Sequence, residues 1–333
     1  MSPRFSVIVP VFNRAAMISR AIDSALAQGF DDFEVIVVDD GSTDRTADRV
    51  RAYADPRVRL VALGQNRGVC AARNAAIVVA TGAWCVMLDS DFELLPGALE
   101  ALDARCREAA PEVVNVASAC QWDDGSRTPV PFPDEEFTAD YESWLRWTAS
   151  LTVSEYFNCV RRSCLARVLY PEGRTYEAAF HLALARLGRF WFSPRPAVLV
   201  RTDADNRITA SPPASFARRL LRDAPDCAAD AENVLREHGE ALRRLAPREY
   251  ARLASRAVEA HLLAGDRLGA FASRLSRPVV GAASTDMAVS ALGLVHPRLL
   301  AAARGLWRHR ATLSPSTVVD ALGVVASAGN GPR

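Results

Sequence analysis

The sequence predicts an α/β fold: a doubly wound, mostly parallel sheet flanked by helices, with an all-helical C-terminal region. Three observations carry this expectation. Short continuous apolar runs rich in β-branched residues, such as Phe5 to Val9 and Glu34 to Val38, fit strands buried on both faces. Segments with helical spacing separate those runs, and strands alternating with helices build parallel sheets. After Ala210 the strand-like runs stop, and Ala, Leu and Arg recur in helical periods.

The first helix is expected between the first two strands, with Asn13 as N-cap, Ile18, Ile22 and Leu26 at helical spacing, and Gly29 as the stop. The alternation then continues: helix from Asp44 to Tyr53, strand from Val58 to Leu63, helix from Val69 to Ala80, strand from Trp84 to Leu88. A helix from Pro96 to Arg107 and a strand from Val113 to Ala117 follow. In such sheets ligands bind outside the carboxyl ends of the strands. Those ends carry Pro10, Asp39-Asp40 and Asp89-Ser90-Asp91, so three strands aim special residues at one crevice. Residues 1–210 are expected to form the ligand-binding domain, and residues 211–333 a helical region entered through the linker Ser211-Pro212-Pro213. Within it, Ala257 to Ala264 and Leu268 to Leu275 read as a helical hairpin, Gly265 ending one helix and Asp266 capping the next.

Composition narrows the class. Half of the 333 residues are hydrophobic, enough for a packed core. The formal net charge of +1 argues against nucleic acid as a partner. Seven cysteines without a Cys-x-x-Cys pair read as reduced thiols. With neither an apolar leader nor a run of about eighteen apolar residues, a cytoplasmic location is expected. Arg304, Arg308 and Arg310 beside Leu306 and Trp307 admit peripheral contact with an anionic membrane, although a solvated helix face is the simpler reading.

The acidic pair Asp89 and Asp91 closes an apolar run, and carboxylates at a strand end need a cation to remain ionised. On an extended segment they would lie on one side, about 7 Å apart. Magnesium and manganese take oxygen ligands and commonly use one or two protein carboxylates together with substrate phosphates. The dinucleotide motif Gly-x-Gly-x-x-Gly and the phosphate loop are both missing after the first strand, where Pro10-Val11-Phe12-Asn13-Arg14 stands instead. That disfavours nicotinamide and phosphate-loop chemistry, and with the latter a nucleotidyltransferase.

Four motifs in order resemble the family 2 glycosyltransferases: Phe5 to Asn13, Val37 to Asp44, Asn66-Arg67-Gly68 through Ala72-Arg73-Asn74, and Leu88-Asp89-Ser90-Asp91. The resemblance implies a GT-A fold, a nucleotide-diphosphate sugar donor, usually a UDP-sugar, and transfer with inversion to an acceptor hydroxyl. It implies that Asp40 binds uracil, that Pro10 and Phe12 line base and ribose, and that Arg73 meets the diphosphate. Asp89, Ser90 and Asp91 form the donor and metal motif, with Asp91 and Asp89 as ligands of Mn2+ or Mg2+. Phe92 stands where many members carry a further aspartate. The resemblance also places the catalytic base at Glu177, with Tyr176 in place of the preceding glutamate and Glu172 as the alternative. His181 shares a helix face with Glu177. Trp122, Trp144, Trp147, Tyr156 and Trp191 are candidates for an acceptor platform, or for core. Arg201 is a candidate for phosphate contact. The acceptor is open among glycans, lipid-linked sugars, peptides and small metabolites, with bacterial surface glycan assembly the commonest case in the family. A non-catalytic nucleotide-sugar-binding protein is the rival reading.

Overall fold

The computed structural model describes residues 2–171, 177–203, 213–276 and 297–308. It divides into two units, Met1–Ala204 and Asp205–Arg333. The ten strands of the first unit are β1 (Phe5–Val11), β2 (Phe33–Asp39), β3 (Val58–Ala62), β4 (Trp84–Met87), β5 (Phe92–Leu94), β6 (Val113–Trp122), β7 (Arg127–Thr128), β8 (Phe137–Ala139), β9 (Phe157–Arg161) and β10 (Arg189–Val200). Its helices are α1 (Ile18–Leu26), α2 (Thr46–Arg51), α3 (Val69–Val79), α4 (Ala98–Glu108), α5 (Tyr141–Ser150), α6 (Arg162–Leu165) and α7 (Glu177–Ala185).

Every residue of β1 and β2 is buried, as expected of largely apolar runs in a parallel sheet. Two of their polar members pair with each other across the register: Ser6 donates to Glu34, which also accepts from the Thr81 backbone and hydroxyl and from Arg59. Burial opposes the Glu34 charge, and these donors overcome it, holding the carboxyl below the usual range. The sheet runs β3-β2-β1-β4-β9-β6-β10-β5. Its first four strands are parallel, as expected. β9 then enters antiparallel to both β4 and β6, while β6 and β10 are parallel and β5 closes antiparallel on β10.

This topology positions the site. Because β9 is antiparallel to its neighbours, the carboxyl ends of β1, β2, β4 and β6 share one edge, and the amino end of β9 lies there too. Two local expectations are corrected. Asn13 does not cap α1; it sits at φ 51, and its side chain accepts from the Thr43 N–H at 2.8 Å while its own N–H donates to Ser42 Oγ at 2.8 Å. These bonds clamp the loop after β1 onto the loop after β2, and α1 starts at Ile18 without a side-chain cap and ends at Leu26, before Gly29. The acidic motif is not extended either. Leu88 still bonds to β1, but Phe92 N–H then closes a turn on the Asp89 carbonyl at 2.9 Å.

The second unit holds α8 (Pro213–Leu245), α9 (Pro247–Leu263), α10 (Arg267–Ser276) and α11 (Pro297–Arg308). The expected hairpin is present: Gly265 adopts φ 79, and the Asp266 carboxylate accepts from the Gly269 N–H at 2.8 Å. Small residues let the helices approach closely, with Ala217, Ala224, Leu262, Leu263, Ala270, Leu300 and Ala301 forming the core. Ser211, Pro212 and Arg310 lie outside the described residues, as do the side chains of Leu306, Trp307 and Arg308. Among the described residues, no helix is long and apolar enough to cross a membrane. All seven cysteines are free thiols, and five are buried, as expected of core residues.

Candidate active site

Strand register brings the ends of β1 and β2 together, Val11 opposite Asp39. Asp39 accepts from Ser42 N–H at 2.9 Å, an Asx turn that starts the loop toward α2. Gly41 follows at φ 73, where a Cβ would sit 2.5 Å from the Gln65 carbonyl carbon, so only glycine fits the approach. Asp40 is 3 % exposed, and its two carboxylate oxygens accept from the Arg67 and Gly68 N–H groups, each at 2.7 Å. Its carboxylate therefore moors the turn before α3. Asp40→Ala should leave two part-buried N–H donors without this partner and cost roughly 2 kcal/mol, the low end of about 1–3 kcal/mol for each. Urea unfolding measures this, and an unchanged midpoint would mean that water replaces the carboxylate. Of the two residues expected to line base and ribose, Pro10 is buried within β1, whereas Phe12, just beyond it, is 37 % exposed at the edge.

Arg73 unites the site. It lies on α3, 5 % exposed, with one guanidinium nitrogen 2.7 Å from Asp89 and the other 2.6 Å from Glu177. Its guanidinium carbon stands 5.2 Å from the centre of the Tyr170 ring. The next residue fixes that ring's backbone: the Asn74 amide donates to the Tyr170 carbonyl, and its oxygen accepts from the Tyr170 N–H, both at 2.9 Å. Two consecutive residues of α3 thus hold Tyr170 and the carboxylate at the start of α7. Arg73, expected to contact the diphosphate, shares its charge between the Asp89 and Glu177 carboxylates.

Glu177 opens α7, as the sequence suggested, and its side chain remains 43 % exposed. Burial opposes its charge, but Arg73 more than offsets this and holds the carboxyl below its usual range. Asp89 goes the other way. Burial raises it, Arg73 lowers it, and the nearby charges of Glu177 and Asp91 add to the rise. His181 Nδ1 lies 3.1 Å from the Glu177 carbonyl, and its buried Nε2 has no hydrogen-bond partner. Burial lowers its pKa, favouring the neutral ring. Tyr176 and Glu172 lie outside the described residues.

Two participants carried no local sequence signal. Arg14, in the loop after β1, approaches Asp91 at 3.8 Å. Glu155 precedes β9, whose reversed direction delivers it to the same edge. Although the residue as a whole is exposed, crowding by protein pushes its carboxyl up to about 7, assisted by Asp89, Glu177 and Asp91 and opposed by Arg73. Four carboxylates thus interact around Arg73 and Arg14.

This surplus of negative charge suits a divalent cation. Among the described residues, no group of three His, Cys, Asp or Glu side chains could hold a metal unaided. Oxygen ligands from Asp89 and Asp91, completed by a substrate diphosphate, fit magnesium or manganese better than a closed protein cage. Phe92 packs into the core as part of β5, 7 % exposed, which accounts for the missing further carboxylate. Ser90 sits half-buried in the acidic turn.

Arg201 pairs with Glu93 at 2.8 Å, and its N–H donates to the Asp91 carbonyl at 3.3 Å, so it braces the acidic turn. The five aromatics do not form one platform. Trp144 is buried and donates to the Tyr156 hydroxyl, and Trp147 packs on Phe137, Tyr156 and Phe192. Trp122 and Trp191 instead pack against the sheet core.

The family model "Glycosyl transferase family 2" matches residues 6–151. The succinoglycan biosynthesis protein ExoO of Rhizobium meliloti is 46% identical over 111 residues, 33% of this chain and 32% of that protein. A Campylobacter jejuni enzyme, GalNAc(5)-diNAcBac-PP-undecaprenol beta-1,3-glucosyltransferase, is 40% identical over 110 residues, 32% of this chain and 35% of that one. The chain thus spans about a third of the length of these curated relatives. Among solved structures, S. aureus TarS 1-349 in complex with UDP-GlcNAc superposes with TM-score 0.53 at 20% identity, covering 82% of this chain and 91% of that one. The mannosyltransferase PcManGT of Pyrobaculum calidifontis, in complex with GDP-Man and Mn2+, does so with TM-score 0.51 at 21% identity, covering 99% and 89%. At these identities the likeness establishes the fold alone.

Proposed function

Because this chain belongs to glycosyl transferase family 2 through residues 6–151, we propose that it moves a sugar from a nucleotide-diphosphate sugar to an acceptor hydroxyl, inverting the anomeric carbon. The observation that carries the reading is the Arg73 bridge, which ties the acidic turn at Asp89 to the carboxylate of Glu177. A donor-holding motif and a proton acceptor then face one crevice at the strand ends.

In this reading Glu177 takes the acceptor's hydroxyl proton as the oxygen attacks the anomeric carbon and the bond to the diphosphate breaks. Arg73 keeps Glu177 ionised, and so able to accept that proton. Phe12 offers an apolar face to the base, and Asp40, through the turn it moors, shapes the base pocket. Asp89 and Asp91 would hold Mn2+ or Mg2+. When bound, the metal supplies Lewis-acid stabilisation of the leaving diphosphate. A UDP-sugar is the favoured donor, supported by the UDP-GlcNAc complex of TarS; manganese is supported by the PcManGT complex. A growing or lipid-linked bacterial glycan at the cytoplasmic face of the membrane is the favoured acceptor, supported by the ExoO and undecaprenol-linked relatives.

Asp91→Asn tests the metal assignment. The native chain should gain thermal stability with UDP and Mn2+ together and little with UDP alone, because an unscreened diphosphate repels the carboxylates. The variant should lose that joint gain. Equal stabilisation of variant and native chain would remove Asp91 from the metal site.

A further inference from the structure

The second unit carries an apolar stripe on the outside of α10. Leu268, Phe271 and Leu275 are 83%, 63% and 66% exposed, although surface helices normally turn polar residues outward. Their spacing of three and four places them on one face. The opposite side is anchored: Ala270 and Ser273 are buried, and Ala270 packs in the core with Leu262, Leu263 and Leu300. The stripe is therefore held outward by a packed scaffold.

Charge borders it. Arg267 and Arg274 are exposed and, seven residues apart, share the flank of the stripe next to Phe271. From Arg267 onward the sequence has no acidic residue until Asp286. We propose that this face of α10 rests in the interfacial layer of an anionic lipid bilayer, with Leu268, Phe271 and Leu275 below the headgroups and Arg267 and Arg274 against their phosphates. Three side chains on a helix about 15 Å long fall far short of the roughly 800 Å² per partner of a stable protein interface. A bilayer needs no matching surface, and an apolar stripe bordered by arginines meets its requirements.

The test uses the full chain and sedimentation with vesicles. Phosphatidylcholine vesicles containing phosphatidylglycerol should carry the protein down, and pure phosphatidylcholine vesicles should carry roughly thirtyfold less, at about 1 kcal/mol for each of the two arginines near an anionic surface. Leu268→Ser, Phe271→Ser and Leu275→Ser combined should weaken partition at least tenfold. Because these side chains are already exposed, the fold should persist, as circular dichroism checks. Arg267→Gln with Arg274→Gln should weaken binding to anionic vesicles and leave the residual binding to neutral ones unchanged. Partition of the triple serine variant equal to the native chain overturns the proposal. So does a native oligomer, seen by light scattering, that the triple variant dissolves in the absence of any vesicle binding. The readout is partition, so it is independent of whether the site in the first unit turns over donor.

Discussion

Glu177→Gln should bind the donor and Mn2+ as the native chain does, yet transfer sugar more slowly by roughly a hundredfold to ten-thousandfold, the usual loss when a positioned base is removed. The amide keeps the size of the carboxylate and accepts no proton. It also weakens the ion pair with Arg73, formed across 2.6 Å, so the fold must be checked by its unfolding midpoint. The competitors are Glu155→Gln and Glu172→Gln. Glu155 is pushed up to about 7, close to where a proton acceptor works best, so its variant is the sharper control. A slow Glu155→Gln beside a near-native Glu177→Gln would move the role to Glu155, and a dead Glu172→Gln in the same comparison would move it to Glu172.

Arg73→Met should be the most damaging single change in the first unit. It removes the cation shared by Asp89 and Glu177 while keeping an apolar stem under Tyr170. Breaking a buried pair by deleting one partner costs about 3–5 kcal/mol. The low end applies, because the Glu177 side chain is 43 % exposed. The pH dependence has a definite sign. Glu177 is held below its unfolded value, so its contribution to stability is present above that value and is lost as pH falls through the lower, folded one. Without Arg73, burial is no longer offset, and the Glu177 carboxyl rises. The acid limb of the rate profile should therefore move to higher pH in Arg73→Met. An unshifted limb with full stability would show that the bridge is idle.

Much of the fold was legible because β1, β2 and β4 are largely apolar runs that lead into special residues. β9 was not, since its place is set by pairing with β4 and β6 from an irregular approach, with no repeated strand–helix unit to announce it. The three residues of β5 were too few to show a period. At the site, Asp89, Asp91 and Glu177 were readable from motifs, but their junction was not. The link between positions 73, 89 and 177 is an ion pair across the fold, and no local pattern encodes it. Asp40 was legible as a residue of the crevice, whereas its grip on Arg67 and Gly68 depends on where the next turn lands. Asn13 misled for a similar reason: its side chain reaches the loop after β2 instead of the helix that follows it.

The central claim is that Asp89, Asp91 and Glu177 form a metal-assisted transfer site. Release of nucleoside diphosphate from a panel of UDP- and GDP-sugars, followed with Mn2+ and with excess EDTA, tests it most directly. The account predicts turnover of at least one UDP-sugar in Mn2+, none in EDTA, and none in Asp91→Asn under either condition. Undiminished turnover in EDTA would contradict it, as would donor binding without release for every sugar in the panel.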